Sequence, residues 1–147
     1  MNARKQRQTA GLTTEGTEHT ESNRLTGLII GAAIEVHRQL GPGLLESAYE
    51  ACLCHELITL GLHIEQQRSL PVIYKGVTLN YGYRLDVVVE NRVICELKTV
   101  DQLTNIHHAQ ILSYMKLSGI STGLLINFNQ RILTSGIKRF TNSPLPS

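Results

Sequence analysis

Three charged side chains stand where strand residues are normally apolar. Asp86 lies in Tyr83-Arg84-Leu85-Asp86-Val87-Val88-Val89, and Glu96 and Lys98 lie in Val93-Ile94-Cys95-Glu96-Leu97-Lys98-Thr99-Val100. Both runs are rich in β-branched residues and read as strands, where Asp and Glu are poorly represented. Carboxylates and an ammonium inside such strands are costly unless they are paired or bind a cation. Side chains alternate faces along a strand, so Glu96 and Lys98 project from one side. The combination predicts an acidic cation site with an attendant lysine, the chemistry of phosphodiester cleavage.

The loop between the two runs decides whether the acids meet. Glu90-Asn91-Arg92 is a polar turn, so the runs are expected to form an antiparallel hairpin. A three-residue loop pairs Val89 with Val93 and sets Asp86 opposite Glu96, with Cβ atoms about 4.5–5.5 Å apart. A two-residue loop at Asn91-Arg92 pairs Asp86 with Leu97 and throws the acids onto opposite faces. Two carboxylates roughly 4 Å apart repel by about 4 kcal/mol at an effective dielectric near 20. Lys98 offsets part of this, and a divalent cation with oxygen ligands offsets more. The simpler alternative is an Asp86–Lys98 cross-strand salt bridge with Glu96 solvated.

The elements that must position these residues follow from periodicity. Residues 1–23 are polar, without hydrophobic period, and read as a disordered tail. Leu25, Leu28, Ile29, Ala32, Ala33, Val36 and Leu40 recur at helical spacing, and Gly41-Pro42-Gly43 ends that helix. A second helix is expected over 44–60, capped by Gly61. Strands are expected at 62–65, 70–74 and 77–80, ahead of the Asp86 and Glu96 strands. A third helix spans 103–117 and is closed by Gly119. A buried strand follows at 123–128 and a short one at 137–140. The order predicts an α/β (α+β) domain over 24–141, a mixed β-sheet flanked by helices, with a tail at 142–147.

Composition sets the outer limits. The 147 residues suffice for one domain with a core. A net charge of +2 is too mild to announce a nucleic-acid binder, and with Trp absent and aromatics few, base stacking is not a visible theme. Cys52, Cys54 and Cys95 lack a spaced framework and read as reduced thiols of a cytoplasmic protein. No apolar run reaches membrane-spanning length. A zinc site is disfavoured, because adjacent His107 and His108 splay on a helix and Cys52-x-Cys54 lacks the usual spacing.

On the third helix Gln110 and Tyr114 are four apart and share a face, with His107 a turn earlier. Taken alone, the glutamine reads equally well as solvated and the tyrosine as a core ring. Glu46 follows the Gly-Pro-Gly turn, where a first-turn acid is favoured by the helix dipole whatever else it does. As an ordered set these residues carry a resemblance. Gly41-Pro42-Gly43-Leu44-Leu45-Glu46-Ser47-Ala48-Tyr49, Asp86 with Glu96-Leu97-Lys98, His107-His108-Ala109-Gln110 with Tyr114, and Leu124-Leu125-Ile126-Asn127-Phe128 followed by Lys138-Arg139-Phe140 make up the set. The chain resembles the PD-(D/E)XK nuclease superfamily, and within it the small GxxExxxR branch, over about residues 25–140. The resemblance implies a restriction endonuclease-like core. Asp86 and Glu96 would be metal-binding acids, the Leu97 carbonyl a further ligand, and Lys98 the catalytic lysine. Glu46 would complete the metal site, with Gln110 and Tyr114 orienting it and the substrate. It implies Mg²⁺ or Mn²⁺ as cofactor and nucleic acid, DNA in the first instance, as substrate. Glu50 stands where the branch has arginine, which weakens the expected grip on phosphate and points to a homodimer or a protein partner. The competing expectation is a non-catalytic or partner-dependent module of the same fold.

Overall fold

The structure is a computed structural model and describes residues 14–142. Two helices come first, α1 (Thr14–Leu40) and α2 (Glu46–Thr59). Five strands follow: β1 (Ile64–Ser69), β2 (Val72–Tyr74), β3 (Val77–Leu79), β4 (Arg84–Val89) and β5 (Val93–Lys98). Then come α3 (Asn105–Ser118), β6 (Thr122–Asn127), a 3-10 turn (Leu133–Gly136) and β7 (Ile137–Thr141). The main sheet has the order β1-β4-β5-β6-β7, and β2-β3 forms a separate two-stranded ladder. β5 and β6 are parallel, and every other neighbouring pair is antiparallel. A parallel pair needs a crossover, and α3 provides it.

The sheet is covered on both faces, so its central strands are apolar on both sides. On one face Val87, Val89, Val93, Cys95, Leu124 and Ile126 pack against α1 and α2, where Leu25, Ile29, Val36, Leu53 and Leu57 are buried. On the other, Val88, Ile94 and Leu125 pack against Ile111 and Met115 of α3. All six residues of β6 are buried. This is the mixed sheet flanked by helices that the element order predicts.

Two boundaries differ from expectation by more than two residues, and each has a physical reason. Helix α1 begins at Thr14, so residues 14–23 are helical and not a disordered tail; residues 1–13 and 143–147 lie outside the described residues. The added turns are held by contacts that apolar periodicity does not register. Ser22 and Thr26 are buried polar residues, and Arg139 of β7 hydrogen-bonds the Asn23 side chain. Strand β1 runs over Ile64–Ser69, further along than the expected 62–65, because Glu65-Gln66-Gln67 is a polar, exposed stretch that earns no strand signal from hydrophobicity.

The turn before α2 is pinned by a tyrosine. Tyr49 is fully buried, and its ring stacks on Phe128 with centroids 4.5 Å apart and planes at 11°. Its hydroxyl accepts from the Leu44 N–H at 3.1 Å and donates to the Gly41 carbonyl at 2.5 Å. Gly41 and Gly43 have φ of 67° and 101°, conformations that strain any residue with a Cβ. The turn thus delivers Glu46 as the first residue of α2. Tyr49→Phe keeps the stack and removes both hydrogen bonds. It is expected to cost about 1 kcal/mol, read as a lowered urea midpoint with an unchanged m-value.

Candidate active site

The β4–β5 hairpin adopts the register that brings the acids together. Val89 pairs with Val93, Val88 with Ile94 and Val87 with Cys95 across the loop Glu90-Asn91-Arg92. Glu90 and Asn91 take φ of 52° and 51°, and the Arg92 N–H closes the turn on the Val89 carbonyl at 2.9 Å. The ladder then stops, and carboxylates take over the backbone donors. The Asp86 N–H donates to Glu96 Oε1 at 3.1 Å, and the Leu97 N–H donates to Asp86 Oδ2 at 2.9 Å. N–H and C=O of one strand residue point the same way, so the Leu97 carbonyl also faces β4.

The other flank of Asp86 is interrupted as well. Arg68 pairs with Leu85 and Gln66 with Val87, but the register skips Gln67 and Asp86. Gln67 has a φ of 51°, and its side-chain amide donates to Asp86 Oδ1 at 3.3 Å and to Glu50 Oε1 at 2.7 Å. Gln66 holds the second Glu50 oxygen at 3.2 Å. Glu50 is therefore tied to Asp86 through an amide. Gln66, Gln67 and Glu50 are members of the cluster that sequence reasoning did not assign. Their only signal was a pair of glutamines in a stretch lacking apolar alternation.

Lys98 points to α3. Its Nζ donates to Gln110 Oε1 at 3.0 Å, and Gln110 Nε2 donates to the Tyr114 hydroxyl at 3.1 Å. Gln110 is neither solvated nor idle, and Tyr114 is buried with its hydroxyl in use. Tyr83 lies against Tyr114 with centroids 6.2 Å apart. The alternative of an Asp86–Lys98 salt bridge with a solvated Glu96 does not hold. Lys98 makes no such pair among the described residues, and Glu96 is only 3% exposed.

Glu46 is half-buried and makes no side-chain hydrogen bond among the described residues. Burial raises its carboxyl above the ordinary value; the Asp86 and Glu50 charges add to this and Lys98 opposes it. It is thus within electrostatic reach of the pair. Among the described residues, no three His, Cys, Asp or Glu side chains are gathered closely enough to hold a metal ion as they stand. Asp86 and Glu96 come together, and Glu46 is coupled to them without joining a cage. His107 and His108 make their contacts elsewhere, and the buried His108 Nε2 has no hydrogen-bond partner among the described residues. His107 Nδ1 accepts from the Thr104 N–H in a capping box, and His108 packs on Phe140. All three cysteines are free, and burial pushes the Cys54 thiol up to about 11. A polar cleft of about 330 Å³, lined by Ser22, Glu90, Asn91 and Arg92, lies at the far end of the hairpin from the acids.

Electrostatics resolve the crowding of the two acids. Burial first, then the Asp86 charge, push the Glu96 carboxyl up to about 8. Full ionisation of the pair is thereby disfavoured, and a proton held by the pair relieves the like-charge repulsion. Burial also raises the Tyr114 phenol above its ordinary value, with the Glu96 charge adding to it.

With this geometry in view, comparison gives a clear family. The chain belongs to the PD-(D/E)XK nuclease superfamily, whose sequence model matches residues 23–140. No curated protein and no solved structure matches. The sheet with its flanking helices is the fold expected of that superfamily.

The retained proton has a measurable sign. A carboxyl whose folded pKa is raised binds its proton more tightly in the native state, so its stabilising contribution is complete below the ordinary value of 4.5 and is lost as pH rises to about 8. Glu96→Gln carries no proton to lose. Its stability relative to the parent chain is expected to rise between about pH 5 and about pH 9, measured as urea midpoints at both ends.

Proposed function

We propose that the chain is a metal-dependent nuclease that hydrolyses phosphodiester bonds, with DNA as substrate and Mg²⁺ or Mn²⁺ as cofactor. The observation that carries the reading is the carboxylate clasp at the ladder break, with a third, unpartnered acid beside it. Asp86, Glu96 and Glu46 offer only oxygen donors, the chemistry that suits hard divalent cations, and the Leu97 carbonyl adds a neutral oxygen. Glu46 has no hydrogen bond to give up in joining them. A cation held there supplies Lewis acidity to the scissile phosphate and to the attacking water. The clasp presents Asp86 and Glu96 in a fixed relation because each is bound to a backbone N–H of the opposite strand. A cation held by Asp86 and Glu96 would compete with the proton of the pair, so affinity is expected to rise with pH. Lys98 carries a positive charge toward the phosphate, and the Gln110–Tyr114 chain fixes its direction.

The narrower GxxExxxR assignment rests on Gly43, Glu46 and the elements that follow. At position 50 the arginine is replaced by a glutamate held by Gln66 and Gln67. Grip on the substrate is then expected to depend on a homodimer or a protein partner. A cytoplasmic location goes with the free thiols, and among the described residues no helix is long and apolar enough to cross a membrane. One observation favours the second reading, a non-catalytic or partner-dependent module of this fold: the three acids are not already gathered into a cage.

Two measurements decide between these readings. Labelled single- and double-stranded DNA should be cut by the parent chain with Mg²⁺ or Mn²⁺, and Lys98→Ala should lose about 10²–10³-fold in rate. Equal rates would place the activity elsewhere. Mn²⁺ at a hundred times its dissociation constant should add about 2.7 kcal/mol to the parent chain. Asp86→Asn should lose most of that gain while its metal-free melting temperature holds or rises. No metal response in the parent chain would leave the inert module.

A further inference from the structure

The chain holds five tyrosines and two phenylalanines, and three of these seven rings fall in residues 74–83. All three are exposed: Tyr81 at 71%, Tyr74 at 60% and Tyr83 at 46%. Three exposed rings within ten residues form a patch of the kind that marks an interaction surface. The segment that carries them is the β2–β3 hairpin and its return to β4, a ladder that pairs only with itself. It is also electropositive. From Gln66 to Leu85 the chain has Arg68, Lys75 and Arg84 and no Asp or Glu. Lys75 Nζ stands 5.5 Å from the Tyr74 ring centroid, so a cation accompanies an exposed ring.

The arm is anchored at the candidate active site. At its base the Leu70 N–H donates to the Tyr83 carbonyl at 2.9 Å, and Ser69 pairs with Arg84, two residues before Asp86. Tyr83 touches Tyr114, whose hydroxyl joins Gln110 and, through it, Lys98. The base of the arm is therefore joined to the candidate site through Tyr83 and Tyr114.

We propose that this hairpin is a stacking arm for a single strand of DNA, with Tyr74 and Tyr81 receiving unpaired bases and Lys75 and Arg84 the intervening phosphates. The inference rests on the nuclease reading and names its substrate class. A duplex keeps its base faces inside the stack, whereas an unpaired strand offers each face to a ring. The cations answer the backbone charge, which an apolar protein partner would not need. Metal-assisted hydrolysis requires no ribose 2′-hydroxyl, and rings with cations address only base and phosphate, so DNA suffices as the strand.

The test uses the full chain carrying Lys98→Ala, in EDTA, so that strands stay intact and binding is read apart from cleavage. Fluorescence anisotropy follows a labelled oligo-dT of about 20 nucleotides, an oligo-rU of equal length and a DNA hairpin duplex. Tyr74→Ala and Tyr81→Ala are each expected to weaken oligo-dT binding by about tenfold. Duplex binding and melting temperature should stay unchanged, and Tyr→Phe at either position should retain affinity because the ring remains. Unchanged oligo-dT affinity in the alanine variants, an equal loss on duplex, or failure of phenylalanine to substitute would overturn the arm. Absence of oligo-dT binding by the tyrosine-bearing chain would also overturn it and give the surface to a protein. Tighter binding of oligo-rU would overturn the choice of DNA. Cleavage is read separately, in the chain that keeps Lys98 and with Mg²⁺ or Mn²⁺: cleavage there beside unchanged affinity in the alanine variants sinks the arm and spares the nuclease, whereas ring-dependent binding without any cleavage does the reverse.

Discussion

The site depends on a break in strand pairing. β4 is the second strand of a sheet covered on both faces, and there each backbone donor must find an acceptor. At Asp86 the ladder fails on both flanks, and side chains supply what the neighbouring strands do not. Glu96 accepts from the Asp86 N–H, Asp86 accepts from the Leu97 N–H, and on the other flank the Gln67 amide donates to the Asp86 carboxylate. The carboxylates are therefore structural acceptors before they are anything else. Each anchors its neighbour's backbone, which is why two acids can persist in an apolar setting at close range.

This arrangement explains how the remaining parts are divided. The sheet hydrogen bonds hold β5 against β6 as far as Lys98 and Asn127, so Lys98 leaves the sheet from a rigid position. α3, required by the parallel connection, passes over that point and places Gln110 within reach. The Tyr49–Phe128 stack joins the start of α2 to the residue just past β6, and Glu46, the first residue of α2, lies within electrostatic reach of Asp86 and Lys98. One crossover helix and one stacked pair thus tie elements remote in sequence to the end of β5.

How much of this could be read in the sequence follows from which interactions are periodic. The hairpin itself was legible from two β-branched runs around a polar turn, but valines on both faces of β4 left its register open between two loop lengths. Sequence offered a three-residue and a two-residue loop, and the structure has the three-residue one, with Val89 paired to Val93. α3 was legible from spacing and from Gly119, which takes a φ of 75°. Gln110 and Tyr114 shared a face there, but their link to Lys98 depends on where the crossover lies, and no local pattern records that. The first turns of α1, the polar strand β1 and the Gln67 bridge were not legible. They are held by hydrogen bonds between distant segments, such as Arg139 with Asn23, and by a positive φ at a glutamine. Composition misled in one respect: it counted few aromatics and could not see that three of them share one exposed arm.

Gln67 has a second consequence, for the edges of the sheet. β1 and β7 are the terminal strands, and an open strand edge is a template on which another chain can add itself. A left-handed residue in the middle of β1 twists that edge out of the flat form such growth requires, and Glu65 and Arg68 flank it with charge. At the other edge β7 carries Lys138 and Arg139 exposed to water. The distortion that turns an amide toward Asp86 thus also guards the protein against aggregation by strand addition, so restoring regular pairing at Gln67 would trade away solubility together with the bridge.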